Sequence, residues 1–307
     1  MAKTKIELQP YFGKWGGFFV PDPMTPALDE LTNTANDLIN DPFFAEKVCN
    51  MVHVPTDDFE PSEADHVFSV KSFARKYIAA GYALIAKETG KEIVAGAVNQ
   101  EEAAIIVDAC KEAGVSLSIW LNVQTGSDEA FVKSLTNNGV SVNLDQCREL
   151  FDDPEMYSFQ KYIANPMKHQ WMPLHSHCGP APFPALTMYF SSLAAQKVIS
   201  AAESKFTGKK LNIAAPAFSG LSMIGMLAAK SDDTALLSYG PKADAEREEC
   251  YLGAYTKVNG IGTTEFTLSP VLINAWESNT VGKVDTVAPL IEFAKKNTNE
   301  VYLVVEE

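Results

Sequence analysis

Residues 91–121 read KEIVAGAVNQEEAAIIVDACKEAGVSLSIWL, and this stretch decides the fold class. Glu92-Ile93-Val94-Ala95-Gly96-Ala97 is a short, mostly apolar run, which predicts a buried strand. Gln100 to Ala113 carries a helical pattern, and Gly114 ends it as a C-cap. Val115 to Leu121 then predicts a second strand. Strand, helix and strand in this order form the crossover unit of a parallel sheet. Upstream, Ser72 to Thr89 predicts a helix closed by Gly90, and residues 52–68 are polar, acidic and Pro-containing, as in a loop. A further helix is expected from Thr25, with Pro26 in its first turn and Leu28, Leu31, Ala35 and Leu38 along one face. Downstream, a helix over 128–136 turns through Asn137-Asn138-Gly139 into Val140-Ser141-Val142. Helices are expected at 143–151, 183–204, 220–230 and 284–296, and strands at 210–215, 234–239 and 300–305. Alternation of this kind predicts an α/β protein whose parallel sheets are covered by helices on both faces.

The composition is compatible with that class. A chain of 307 residues, 46% hydrophobic, suffices for one large unit or two joined lobes. A formal net charge of −14 argues against nucleic acid and anionic membranes as partners, because both repel such a surface. No stretch approaches the ~20 apolar residues that a membrane span needs. Met1-Ala2-Lys3-Thr4-Lys5 has no apolar run behind it, so no secretory signal is expected. The five cysteines are scattered without a CxxC pair, which suits free thiols in a cytoplasmic protein.

Tyr11-Phe12-Gly13-Lys14-Trp15-Gly16-Gly17-Phe18-Phe19-Val20-Pro21, then Pro26-Ala27-Leu28-Asp29-Glu30-Leu31 and Asn40-Asp41-Pro42-Phe43-Phe44, resembles the N-terminal signature of the tryptophan synthase β subunit. Ala83-Leu84-Ile85-Ala86-Lys87, Gly179-Pro180-Ala181-Pro182-Phe183-Pro184, Ile224-Gly225-Met226 and the segment 300–305 extend the similarity across most of the chain, in patches. The resemblance implies the fold type II architecture of pyridoxal phosphate enzymes, with two lobes and a central cleft. It places the larger lobe at 1–45 plus 175–307 and the smaller at 46–174. It further implies a homodimer and, through the N-terminal segment and Gly179–Pro184, contact with an α-subunit-like partner.

The family's working groups are not matched. Counting back from Lys87, Arg75 occupies the position of the cofactor lysine, and a guanidinium cannot form a Schiff base. Lys76 is adjacent but about 100° away around a helix. Gly96 falls where the family has its catalytic glutamate, and Val98-Asn99-Gln100-Glu101-Glu102 replaces its substrate-carboxylate loop. Phe218-Ser219-Gly220-Leu221-Ser222 replaces the glycine-rich phosphate loop. The family's late Ser-Gly-Arg-Gly segment has no counterpart before Glu307. No cofactor is therefore expected.

New polar groups stand in their place. Glu101, Glu102, His175 and His177 are candidate acid–base residues, and Arg75, Lys76, Ser219 and Ser222 are candidate substrate-binding residues. The plainer alternative treats Glu101 and Glu102 as first-turn charges and the histidines as structural. His175-Ser176-His177 has a metal-ligand spacing, but no clear third ligand accompanies it and no metal is expected. Trp15, Trp120, Trp171 and Trp276 are candidate aromatic walls or simply core. Two functions compete. One is a cofactor-independent enzyme acting on tryptophan or an indole-type aromatic, with a Pictet–Spengler-type condensation as a concrete case. The other is a non-catalytic, tryptophan synthase β-like subunit that binds a partner. A residual pyridoxal phosphate enzyme using Lys76 is the third option.

Overall fold

The computed structural model describes residues 8, 11–12, 15–16, 20–52, 67–70, 73–122, 128–145, 153–174, 180, 182–205, 211–216, 235–241, 250–258, 261–265 and 302–306. The chain folds as two compact units, residues 1–53 with 75–190 and residues 54–74 with 191–307. The corresponding sequence expectation was 1–45 plus 175–307 and 46–174.

In the first unit β1 (Tyr11–Phe12) and β2 (Trp15–Gly16) pair antiparallel. They precede α1 (Thr25–Asn40) and α2 (Phe44–Met51). Helix α1 carries Pro26 in its first turn, as expected, and buries Ala27, Leu28, Leu31, Ala35 and Ile39. Ile39 thus fills the stripe position that the sequence assigned to Leu38. Helix α3 (Phe73–Thr89) is apolar around most of its circumference and is buried accordingly. Tyr77, Ile78, Tyr82 and Ile85 are each at most 1% exposed, and burying each contributes roughly 1.5–3 kcal/mol. The Tyr82 hydroxyl is satisfied there by the Phe183 carbonyl at 3.1 Å and the Thr187 hydroxyl at 3.2 Å.

The next elements are β4 (Glu92–Ala97), α4 (Gln100–Ala113), β5 (Leu117–Leu121), α5 (Glu129–Asn137), β6 (Ser141–Asn143), α6 (Pro154–Ala164) and β7 (His169–Trp171). The strands form a parallel sheet of order β6-β5-β4-β7. Gly90 and Gly114 close α3 and α4 with φ of 65° and 72°, which is the left-handed cap that favours glycine. Residues 146–152, most of the expected 143–151 helix, lie outside the described residues, and Asn143 itself ends β6. Helix α6 and strand β7 were not expected. Helix α7 (Phe183–Lys205) begins in this unit and continues into the second.

The second unit holds a six-stranded sheet of order β11-β10-β9-β8-β12-β3. Strands β3 (Val67–Val70), β12 (Tyr302–Glu306), β8 (Leu211–Pro216) and β9 (Ala235–Pro241) pair in parallel. Strands β9, β10 (Cys250–Val258) and β11 (Ile261–Glu265) pair antiparallel, so the sheet is mixed rather than purely parallel. Strand β3 also replaces the end of the expected 52–68 loop. The expected helices at 220–230 and 284–296 lie outside the described residues. No helix among the described residues is long and apolar enough to cross a membrane.

Candidate functional site

Strand order locates the site. The chain leaves β4 through α4 towards β5, whereas β7 reaches the other edge of β4 through α6. The carboxyl ends of β4 and β7 therefore lie side by side where the connections diverge, the position at which parallel α/β sheets hold ligands. Helix α4 starts there. Asn99 caps it by accepting from the Glu102 N–H at 2.9 Å, and Glu102 returns by accepting from the Val98 N–H at 3.0 Å. The second oxygen of Glu102 meets Arg75 Nη1 at 3.2 Å. Glu102 is 1% exposed and Arg75 36%, so this is a buried carboxylate matched by a half-exposed guanidinium.

A second carboxylate reaches the same place from α6. Asp153 caps this helix through the N–H groups of Glu155 and Met156 at 3.1 and 3.2 Å, and Pro154 opens it. The first turn presses directly on β4. A Cβ at Gly96 would lie 2.4 Å from the Pro154 carbonyl and 2.5 Å from the Glu155 nitrogen. Trp120 is Gly96's register partner on β5, and Lys161 of α6 stands 5.8 Å over its ring. The same face of the sheet carries Trp171 on β7. Trp171 Nε1 donates to Glu155 at 3.2 Å and to the Ser158 hydroxyl at 3.1 Å, and the Leu174 N–H donates to the other Glu155 oxygen at 3.3 Å. Burial pushes the Glu155 carboxyl up to about 8 from 4.5; its two N–H donors oppose the rise, and the charges of Asp153 and Glu102 add to it. The residue as a whole is half-buried and keeps contact with solvent.

Of the candidates read from the sequence, Arg75 and Glu102 are brought together. Glu101 lies on the exposed side of α4, and Lys76 is half-buried one position beyond Arg75. His175, His177, Ser219 and Ser222 lie outside the described residues, as do Trp276 and the whole 218–222 loop. Trp120 and Trp171 are 3% and 5% exposed, so both are core walls. Trp171 packs against Phe159 and Phe183 with centroids at 4.8 and 5.1 Å. Glu155 was missed, although Asp153-Pro154-Glu155 is a recognisable helix start. Among the described residues no group of three His, Cys, Asp or Glu side chains is placed to hold a metal ion. A groove of about 710 Å³ opens at the other end of the strands, beside Lys87, Lys91, Glu92 and His169. Its Lys91 is committed to Glu30 at 2.7 Å and its His169 stands 3.4 Å from Glu92, so we place the site at the carboxyl ends.

Pyridoxal phosphate does not fit the described residues of this site. It requires an imine-forming lysine, and the position that the resemblance gives to that lysine holds Arg75, paired with Glu102. A side chain at position 96 would collide with α6, so the resemblance's glutamate has no room either. No protein-family profile matches the chain. Solved structures do. Diaminopropionate ammonia lyase from Escherichia coli, in its apo form, is 13% identical with a TM-score of 0.50, covering 89% of this chain and 86% of its own. Serine racemase from Dictyostelium discoideum is 12% identical with a TM-score of 0.48, covering 91% and 96%. The processed form of threonine deaminase isoform 2 from Solanum lycopersicum is 11% identical with a TM-score of 0.45, covering 100% and 92%. At these identities the likeness is one of fold: the chain has the α/β fold of the fold type II pyridoxal phosphate enzymes.

Proposed function

We propose that this chain is a tryptophan synthase β-like enzyme that works without pyridoxal phosphate, by carboxylate acid–base chemistry at the carboxyl ends of β4 and β7. The observation that supports this reading is the Arg75–Glu102 pair. It removes the Schiff-base amine and installs a buried carboxylate in one stroke. The substrate is tryptophan or an indole-type aromatic amine, a flat molecule that the resemblance associates with this scaffold. Condensation of that amine with an aldehyde fits an acid–base site, because imine formation and ring closure need only proton transfers. Incubating the protein with tryptophan or tryptamine and an aldehyde, and measuring the cyclised product by mass spectrometry, tests the reaction. No product above the uncatalysed rate, or an absorbance band of an internal aldimine after addition of pyridoxal phosphate, would sink it. By the same resemblance the chain self-associates as a homodimer, which light scattering checks.

A second reading is a non-catalytic subunit that binds an α-subunit-like partner. Exposed Met156 (49%) and Ile163 (40%) on α6, with Met167 (51%) beyond its end, favour it. Co-elution with such a partner, lost on changing Met156 and Ile163 to serine, would support it over the enzyme.

A further inference from the structure

We infer that Glu155 stores and delivers the proton at this site, with Glu102 as the fixed charge beside it. The inference rests on the acid–base function proposed above and assigns its proton carrier, which is none of the residues that the sequence singled out.

Geometry carries the assignment. Gly96 lets the first turn of α6 sit on β4, which brings the Glu155 carboxyl to the strand end. Trp171 Nε1 holds one oxygen and the Leu174 N–H the other, so the carboxyl is fixed in place before any ligand arrives. Both donors are neutral, and among the described residues no basic group pairs with Glu155. Glu102 differs in having a cation on it: Arg75 meets one oxygen and the Val98 N–H donates to the other, which suits the ionised form. The groups around Glu155 are Asp153 of its own helix, Glu102 of α4 and the Tyr82 hydroxyl of α3, with Arg75 acting through Glu102. Two of these are acids that disfavour a second negative charge. Two carboxyl groups with unlike partners in one site make an acid and a base. At neutral pH a carboxyl with a pKa of about 8 is about nine-tenths protonated.

In the proposed condensation the balance is as follows. The amine adds to the aldehyde carbon and gives a carbinolamine. Glu155 protonates its hydroxyl, the C–O bond breaks, water leaves and an iminium forms. The indole carbon then attacks the iminium carbon. The proton lost from that ring carbon returns to the Glu155 carboxylate, and the C–H electron pair restores the aromatic ring. Glu155 ends as it began, and the net reaction is amine plus aldehyde to ring product plus water.

The Trp171 indole N–H reports on Glu155 without any ligand. With the indole nitrogens labelled with ¹⁵N, the Trp171 cross-peak is followed from about pH 5 to about pH 9.5. It is expected to shift with a midpoint near 8. Glu155→Gln keeps an acceptor oxygen for the indole and is expected to abolish the shift while the peak stays dispersed. Glu102→Gln is expected to lower the midpoint, because one of the opposing charges is gone. In turnover, the wild-type rate is expected to fall tenfold per pH unit above about pH 8, and Glu155→Asp to keep a displaced version of that limb. A Trp171 midpoint near 4.5, or a shift that survives in Glu155→Gln, overturns the assignment. If Trp171 titrates near 8 but no product forms, the proton store stands and the proposed reaction falls. If product forms and Trp171 does not titrate, the reaction stands and the store falls.

Discussion

Replacing Gly96 by alanine tests the contact on which the site is built. The added Cβ would lie 2.4 Å from two backbone atoms of Pro154 and 2.5 Å from the Glu155 nitrogen, about an ångström short of ordinary contact. These are main-chain atoms of a capped first turn, so no rotamer change relieves the clash. Either α6 lifts from the sheet or β4 bends, and overpacking of this kind costs about 1–3 kcal/mol. In a unit of this size that corresponds to a fall in Tm of roughly 2–10 °C. A comparison with Gly114→Ala separates packing from backbone strain. Gly114 has φ 72° and open space around its Cβ position, so alanine there costs about 1–2 kcal/mol of left-handed strain and leaves α6 alone. Both variants should therefore melt lower, but only Gly96→Ala should move the Trp171 indole resonance, because only there does α6 shift. Thermal unfolding by circular dichroism and the ¹⁵N-indole spectrum measure the two effects. A Gly96→Ala protein with wild-type Tm and an unmoved Trp171 peak would refute the close approach of α6 to β4.

Arg75→Ala should destabilise by about 1–3 kcal/mol in urea titrations, less than for a fully buried pair because water can reach the half-exposed guanidinium position and solvate Glu102 in its place. Asn99→Ala removes the cap of α4 and should cost about 1 kcal/mol; an unchanged urea midpoint would argue against the reciprocal cap with Glu102. Tyr82→Phe deletes a buried hydroxyl that reaches the Phe183 carbonyl and the Thr187 hydroxyl, and should cost about 1 kcal/mol in the same assay. Glu155 binds its proton more tightly when folded, so its stabilising effect is fully present below pH 4.5 and is lost as pH rises towards about 8. The local slope is at most about 1.4 kcal/mol per pH unit, and Glu155→Gln should flatten the wild-type stability profile across that window.

Much of the first unit was legible because its signals are local. Gly90, Asn99 and Gly114 punctuate the segment from α3 to β5, and the structure places helix ends at each. Arg75 and Glu102 were legible as candidates, with Lys76 and Glu101, because all four lie in first turns of helices next to strand ends, but the sequence did not show which of them pair. The unread elements had weaker or non-local signals. Strand β7 is three residues long, His169 to Trp171, too short for any periodicity, and β4 beside it supplies its pairing. Helix α6 had its Asp153-Pro154 start, a signal that the sequence reading passed over. In the second unit, Asn259-Gly260 stands between β10 and β11, the dipeptide best suited to a two-residue hairpin, and it signals the antiparallel pair that strand–helix alternation had obscured. Glu155 was invisible for a different reason: its role depends on Gly96 and Trp171, contacts that only the folded sheet creates.

Gly96 and Glu155 are two sides of one exchange. A side chain at position 96 and the first turn of α6 claim the same volume, so a carboxylate at the end of β4 comes from the strand or from α6, not from both. Here it comes from α6, and that origin sets its chemistry. A glutamate on the strand would carry only the field of its own surroundings. Glu155 arrives desolvated by burial, and Asp153 and Glu102 nearby raise its proton affinity further, against the two neutral N–H donors that lower it. Placing at position 96 the glutamate that the resemblance implies should therefore fail. Gly96→Glu would drive α6 off the sheet, break the Trp171 and Leu174 contacts to Glu155, and leave a buried carboxylate without donors. Its expected signature is a larger loss of Tm than Gly96→Ala gives, with no gain of pyridoxal phosphate absorbance, because Arg75 would still occupy the amine's place.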